Sequence, residues 1–182
     1  MRVIAGSARG RKLIAPDGQG TRPITDRAKE GIFNMLQPII ELDQCRVLDL
    51  FAGSGSFGLE CLSRGAGYVT FVERNRGAAA VIQKNVDALG FTDQATVLTA
   101  NVESVVRTAP AVELAFCDPP YTDDVWADLL PLVPAEVLVG HASFDIALTE
   151  PWIELKRREY GRSKIVIAER AETVTETGTA DD

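Results

Sequence analysis

The chain is poor in the residues that mark disulfide-stapled, metal-bound or membrane-embedded proteins. Its 182 residues include three cysteines, one histidine, two tryptophans and two methionines. Cys45, Cys61 and Cys117 are odd in number and far apart on apolar segments, which excludes a paired disulfide framework and offers no metal-ligand spacing. They are expected as buried free thiols in a reducing cytoplasm. No apolar run approaches the roughly 20 residues that span a bilayer. Residues Met1–Gly6 also lack the apolar stretch of a signal peptide. A cytoplasmic protein with neither membrane nor metal partner is expected. Hydrophobic residues make up 46% and charged residues 25%, which excludes a wholly disordered or collagenous chain. The length suits one domain with a sizeable core, and no internal repeat is evident.

The excess of acid conceals an uneven distribution. The net charge is −7, yet residues 1–40 carry +4, 41–155 carry −11, 156–170 carry +4 and 171–182 carry −4. Two basic segments flanking an acidic middle suit a polyanion binder if both ends fold onto one face, although ordinary solvated surface has the same composition.

The first forty residues form a basic extension in which the runs Arg2–Gly6 and Arg11–Ala15 predict a β-hairpin. A loop over Gly18–Pro23 follows, and then a helix capped by Thr25 or Asp26. Ala28, Ile32, Phe33, Leu36 and Ile40 form its apolar stripe, with Arg27 and Lys29 off it. From Cys45 strands and helices alternate. Strands are expected over Arg46–Leu50, Tyr68–Glu73, Ala95–Thr99, Val112–Cys117 and Phe144–Leu148. Helices are expected to about Arg64 and over Arg76–Leu89, Val102–Arg107 and Asp123–Leu132. Ile153–Tyr160 and Lys164–Glu169 form a closing hairpin about Gly161. The alternation implies an α/β fold with a mostly parallel sheet covered on both faces and an antiparallel hairpin at its edge. Residues 1–40 are thus an extension, 41–170 a catalytic domain and 171–182 a disordered acidic tail.

The first strand runs into Asp49-Leu50-Phe51-Ala52-Gly53-Ser54-Gly55-Ser56-Phe57-Gly58. Glycines allow a sharp turn and close approach of a ligand, and a helix N-terminus offers free N–H groups. Gly53, Gly55 and Gly58 spell G-x-G-x-x-G, a string that a purely structural turn also produces. Glu73 stands at the next strand tip, where a carboxylate can accept both hydroxyls of a ribose. Strand, turn, helix and acid together point to a nucleoside-containing cofactor. Asp49 just before the glycines suits an ammonium and would repel a pyrophosphate, which leans towards S-adenosylmethionine over a dinucleotide.

The fourth strand ends in Asp118-Pro119-Pro120-Tyr121. Two prolines forbid further ladder pairing and fix φ, giving a rigid rim at the carboxyl edge of the sheet, where open α/β sheets bind ligands. Asp118 and the Pro119 carbonyl can each accept an N–H of an exocyclic amine, and Tyr121 can stack on the base. A chain reversal capped by the aspartate accounts for the same four residues in isolation. The lone His141, after Gly140 in an expected loop, reads as structural, and Trp126 and Trp152 as packing residues.

The pair Asp-Leu-Phe-Ala-Gly-Ser-Gly and Asp-Pro-Pro-Tyr resembles the signature of amino-group, S-adenosylmethionine-dependent nucleic-acid methyltransferases. Arg2–Gly6, Arg9-Gly10-Arg11, Thr21-Arg22-Pro23, Thr25-Asp26-Arg27, Phe33-Asn34 and the hairpin Glu159–Lys164 narrow it. With these, the chain to Arg170 resembles the RsmD family of 16S rRNA guanine-N2 methyltransferases. The resemblance implies a Rossmann-like class I methyltransferase fold with seven strands, matching the seven counted above. It implies S-adenosylmethionine held by Asp49, Phe51, Gly53, Gly55, Gly58, Glu73 and Asn101. Asn101 stands where the family often has an acid, and its side-chain oxygen can still accept from the adenine amine. Asp118, Pro119, Pro120 and Tyr121 would be the catalytic set.

Arg2, Arg9, Arg11, Lys12 and Arg22 would then grip 16S rRNA or the small ribosomal subunit. Arg162 and Lys164, with Lys156, Arg157 and Arg158, would form a second contact, and the protein would act as a monomer. A DNA adenine-N6 methyltransferase shares Asp-Pro-Pro-Tyr, but the chain has no separate target-recognition domain. An NAD-dependent dehydrogenase leaves Asp118–Tyr121 idle. A non-catalytic RNA-binding assembly factor leaves the cofactor turn unexplained.

Overall fold

Seven strands form one sheet in the order β3-β2-β1-β4-β5-β7-β6 in the computed structural model, which describes residues 1–16, 24–120 and 125–171. Helix α1 (Asp26–Leu36) precedes β1 (Arg46–Leu50), α2 (Ser56–Ser63), β2 (Tyr68–Val72), α3 (Arg76–Leu89) and β3 (Ala95–Leu98). Then follow α4 (Val102–Val106), β4 (Val112–Cys117), α5 (Trp126–Leu129), β5 (Ala135–Ala142), β6 (Trp152–Tyr160) and β7 (Ser163–Arg170). The first five strands are parallel; β7 runs antiparallel to both β5 and β6. Strand order reverses between β1 and β4, which opens a crevice at their carboxyl ends.

The strands alternate between two cores because successive side chains point to opposite faces. Val47, Phe71, Leu114, Phe116, Val139 and Ile167 pack with α1, α2 and α3, whereas Leu48, Leu50, Ala115, Cys117, Leu138 and Val166 pack with α4 and α5. Phe33, Phe57 and Phe116 stack with ring centroids 5.1 and 4.0 Å apart, joining α1 to α2 and α2 to the sheet. All three cysteines are buried and free. Among the described residues no helix is long and apolar enough to cross a membrane, and no cluster of three metal-ligating side chains occurs.

Four expectations need correction. The fifth strand is Ala135–Ala142, not Phe144–Leu148. An interior strand of a sheet with a core on each face buries both of its own faces, and the unbroken apolar run Val137–Val139 does this. In the displaced segment Phe144 is 40% exposed and Asp145 pairs with Lys164 at 2.7 Å. His141 consequently lies within a strand instead of a loop. Of the helix expected over Asp123–Leu132, the described part holds the four residues of α5, with Val125 outside it, and a 3₁₀ turn over Leu130–Leu132, where Pro131 lacks the N–H a continuing helix needs. Lys29, expected off the apolar stripe, is fully buried.

The amino-terminal hairpin is the fourth difference: it has one bridge, Arg2 to Lys12, in place of a ladder. Val3, Gly10 and Leu13 donate within the segment, to the carbonyls of Arg11, Val3 and Met1 at 3.0, 2.9 and 3.2 Å, and further N–H groups find partners in the body of the protein, since buried backbone donors must be satisfied. Ile4 and Ala5 donate to Glu60 at 2.7 and 2.9 Å, Ser7 to the Ser63 carbonyl at 2.7 Å, and Ile14 to Asn85 at 2.8 Å. Val3, Ala8 and Leu13 join the core of α1–α3. Glu60 also pairs with Lys29 at 3.2 Å and Arg64 at 2.9 Å. The expected loop Gly18–Pro23 and the acidic tail after Ala171 lie outside the described residues, as do Arg22, Tyr121, Asp123 and Asp124.

Candidate active site

The turn after β1 is built from backbone conformations that ordinary residues avoid. Phe51, Gly53 and Gly55 have φ of 57°, 55° and 73°, and Gly55 caps α2. Glycine pays little for this geometry; Phe51 is held in it at a cost, and such residues concentrate at functional sites. Gly58 has a different task. A Cβ there would collide with Phe71 and Val69, so α2 can lie against β2 only with glycine at this position.

Three acids converge on the turn. Asp49 is 1% exposed; its Oδ2 accepts from Gly58 N–H at 2.9 Å, while Oδ1 is buried with no hydrogen-bond partner among the described residues. Burial holds its carboxyl well above the usual carboxylate range, the Gly58 bond acts in the opposite sense, and Asp118 and Glu73 add to the rise. Glu73 follows β2, accepting from Gly53 N–H at 2.9 Å through Oε2 and from Asn75 N–H at 2.7 Å through Oε1. The turn thereby sets the orientation of Glu73. Asp118 follows β4, a quarter exposed, beside the end of β1: its N–H donates to the Leu50 carbonyl at 3.4 Å.

A cavity of about 290 Å³ lies at this edge, lined by Phe51, Glu73, Asn75, Asn101, Asp118 and Pro120 among others. It occupies the β1–β4 crevice where the strand order reverses. Asn101 begins α4; its side chain makes no capping bond and is exposed at the cavity. Pro119 is buried, and its carbonyl accepts no backbone hydrogen bond among the described residues. The site therefore combines acceptors for hydroxyls, for an ammonium and for N–H groups. An ammonium or its water would satisfy the orphaned Asp49 Oδ1, so the residues present fit S-adenosylmethionine. Gly53 and Gly55 shape this site and Gly58 supports it from within α2.

Sequence reasoning assigned no role here to His141. Its Nδ1 lies 2.8 Å from Asp118 Oδ1, and the imidazole is 1% exposed. The parallel register pairs Cys117 with Gly140, which sets residue 141 beside residue 118; a correctly placed β5 would have revealed the pair.

The basic residues divide by what they touch. Arg9, Lys12, Arg158 and Arg162 are exposed. Arg2 pairs with Asp26 at 3.2 Å, and Arg11 donates to the Ala88 carbonyl at 2.7 Å while remaining exposed. Lys164 is bound to Asp145 and Glu159 at 2.7 and 3.2 Å. Arg157 is bound to Glu154 at 2.8 Å, and Lys156 donates to the Met35 carbonyl at 3.1 Å. The closing hairpin thus spends much of its positive charge internally.

A family model described as Conserved hypothetical protein 95 matches residues 1–169. YlbH of Bacillus subtilis, described as a candidate rRNA methyltransferase, is 40% identical over 159 residues, 85% of each chain. Ribosomal RNA small subunit methyltransferase D of Escherichia coli is 43% identical over 121 residues, 66% of this chain and 60% of the relative, less than two thirds of that relative's length. The solved structure of yhhF from Escherichia coli, described as a candidate methyltransferase, superposes with a TM-score of 0.83 at 29% identity, covering 95% of this chain and 99% of the other.

Proposed function

The chain belongs to the Conserved hypothetical protein 95 family, that of the RsmD-type methyltransferases, and has the class I methyltransferase fold; on that footing we propose that it uses S-adenosylmethionine to methylate the exocyclic N2 amine of a guanine in 16S ribosomal RNA. Family and fold agree with the motifs that suggested them. The observation that carries the proposal is the meeting of Glu73, Asn101 and the Asp118–Pro120 rim around one cavity at the switch point, with an oxygen of the nearby Asp49 that has no partner among the described residues.

Glu73 would hold the ribose hydroxyls, Asn101 the adenine amine, and Asp49 the ammonium, with Phe51 along the wall. When bound, the cofactor supplies an electrophilic methyl group on a sulfonium. The guanine amine is a weak nucleophile because its lone pair is delocalised into the ring. Asp118 and the Pro119 carbonyl would each accept one of its N–H bonds, which favours the pyramidal nitrogen and stabilises positive charge as it develops there. Acceptors fixed in place before the reaction lower the barrier because they need no reorganisation during it. A guanine must be unstacked to reach this rim. Tyr121, the next residue along, is proposed as its stacking platform.

The extension of residues 1–40 is proposed to contact RNA backbone through Arg2, Arg9, Arg11, Lys12 and Arg22, with Arg162 and Lys164 at the far hairpin. The protein would act as a cytoplasmic monomer without metal. Methyl transfer from labelled S-adenosylmethionine to naked 16S rRNA, to an assembly intermediate and to the assembled small subunit tests this, with the modified base mapped. Methylated guanine N2 in any of the three supports it. Methylation confined to adenine N6 of DNA, or binding of NAD in place of S-adenosylmethionine by calorimetry, overturns it.

A further inference from the structure

We propose that His141 is a positioning residue for methyl transfer, its Nδ1–H holding one oxygen of Asp118 so that the other faces the target amine. The inference rests on the reading of Asp118 given above.

An ionised carboxylate can only accept, so the 2.8 Å contact with Asp118 Oδ1 requires the proton on His141 Nδ1. The bond thus fixes both the tautomer of the imidazole and the rotation of the carboxylate. Asp118 Oδ2 accepts from no other group among the described residues, and the side chain is a quarter exposed towards the cavity. One oxygen is anchored in the sheet and one is presented outwards.

The anchor is itself immobile. His141 is 1% exposed within β5, between β4 and β7, where its register partner on β7 is Ile165. The preceding residue admits no side chain: a Cβ on Gly140 would stand 2.9 Å from Ile146, 3.0 Å from Val166 and 3.3 Å from Trp126. Packing against the face that Gly140 presents therefore sets where the neighbouring imidazole begins. A buried imidazole in a strand of Val, Leu and Ala is costly unless its polar atoms are bonded. An apolar residue here would make no bond to Asp118, and the histidine supplies it. Supporting residues of this kind matter because a small misplacement of a reacting group costs far more rate than binding.

Replacing the donor and keeping it should have different consequences. His141→Leu removes it, whereas His141→Asn places an amide N–H near the position of Nδ1. Single-turnover methyl transfer and S-adenosylmethionine calorimetry are measured for both, for Asp118→Ala and for the Asp118→Ala/His141→Leu double variant. His141→Leu should slow turnover about 10- to 100-fold, the loss typical of removing a residue that orients a functional side chain. His141→Asn should keep most of the rate, cofactor affinity should stay unchanged in both, and the double variant should be no slower than Asp118→Ala. Wild-type turnover by His141→Leu, equal losses in the Leu and Asn variants, or a double variant slowed by both factors multiplied would each overturn the proposal.

A second readout is independent of activity. His141 is the only histidine in the chain, so imidazole nitrogen resonances of the untagged 182-residue chain belong to it alone. The Nδ1–H tautomer is expected in the wild type and its preference should be lost in Asp118→Ala. The Nε2–H tautomer in the wild type overturns the contact. Absence of methyl transfer to any ribosomal substrate by the wild type would instead overturn the proposed function, leaving the resonances to decide on His141.

Discussion

Replacing Asp49 by Asn should make the free protein more stable and its cofactor complex weaker. The carboxylate is 1% exposed, has one hydrogen bond, from Gly58, and turns its second oxygen towards no donor among the described residues. Its pKa in the folded protein lies well above the ordinary value of 3.8, chiefly through burial. A carboxyl raised by folding contributes stability that is complete below 3.8 and is lost as pH rises towards the folded value. Above that range Asp49 is therefore a cost borne by the free fold, either as a desolvated ion or as the proton it must take up. Asparagine keeps an oxygen for Gly58 and carries no charge. It leaves a buried amide NH2 short of acceptors, about 1–3 kcal/mol, against the several kcal/mol of bringing a carboxylate out of water. A net gain of about 1–2 kcal/mol, or roughly 2–8 °C in a chain of this size, follows.

The ligand reverses the balance. Under the proposed function this oxygen would take the ammonium of the cofactor, and removing its charge would forfeit a charge-assisted bond of about 1.5–3 kcal/mol, roughly 10- to 150-fold in Kd. Thermal melts of both proteins across pH, beside calorimetry with S-adenosylmethionine, test both halves. The stability gap should widen as pH rises above the ordinary carboxylate range, because only the wild type has the Asp49 carboxyl to titrate. A variant that is less stable yet binds the cofactor normally would refute the reasoning, since Asp49 would then be a well-satisfied structural acid.

Glu73→Ala should weaken cofactor binding by about 1.5–3 kcal/mol or more, because it removes the proposed ribose acceptor and also frees Gly53 N–H; calorimetry on the folded variant checks it, with Glu73→Gln intermediate. Replacing Arg9, Arg11 and Lys12 together by Ala should weaken RNA binding without changing cofactor affinity. It should also flatten the salt dependence by about 0.7 log units per lost phosphate contact on a single strand, read from binding isotherms over a salt series. Lys29→Met should destabilise the fold by about 3–5 kcal/mol by leaving the fully buried Glu60 short of a partner, and denaturant melts should show partial recovery in Lys29→Met/Glu60→Gln.

What could be read from the sequence was decided by neighbours along the chain. The run Arg46–Leu50, the glycines after it and the two prolines after Asp118 each obey a local rule, and the β1–α2 turn and the β4 rim follow directly. What could not be read is decided by neighbours across the fold. Glu60 sits in Ser56–Ser63 and would be an ordinary solvated acid on a half-exposed helix, but every residue of α2 is buried because the amino-terminal segment covers its outer side. Lys29 is buried for the same reason, donating to the Arg2 carbonyl at 2.8 Å and to Ser56 at 3.0 Å. His141 was hidden by a misplaced strand, and placing that strand depended on knowing that β7 would cover its second edge.

The docking of that segment bears on how RNA contact and chemistry are joined. Basic extensions often work as flexible arms that are ordered only on binding, and ordering then subtracts from affinity. Here Arg9 and Lys12 rise from a backbone already tied to α2 by Glu60 and Ser63. Gly6 is part of the tie: its φ is +80° and a Cβ would run into the Ser63 carbonyl, so the segment can close on α2 only with glycine at this position. The same helix begins at Gly55, where the turn that orients Glu73 ends, and Lys29 links Ser56 at that end to the Arg2 carbonyl. Cations that would hold an RNA backbone and acids that would hold the cofactor are thus fixed to one element. A base delivered by the first set arrives at a distance from the second that the fold has already determined, which is what a methyl transfer dependent on positioning requires.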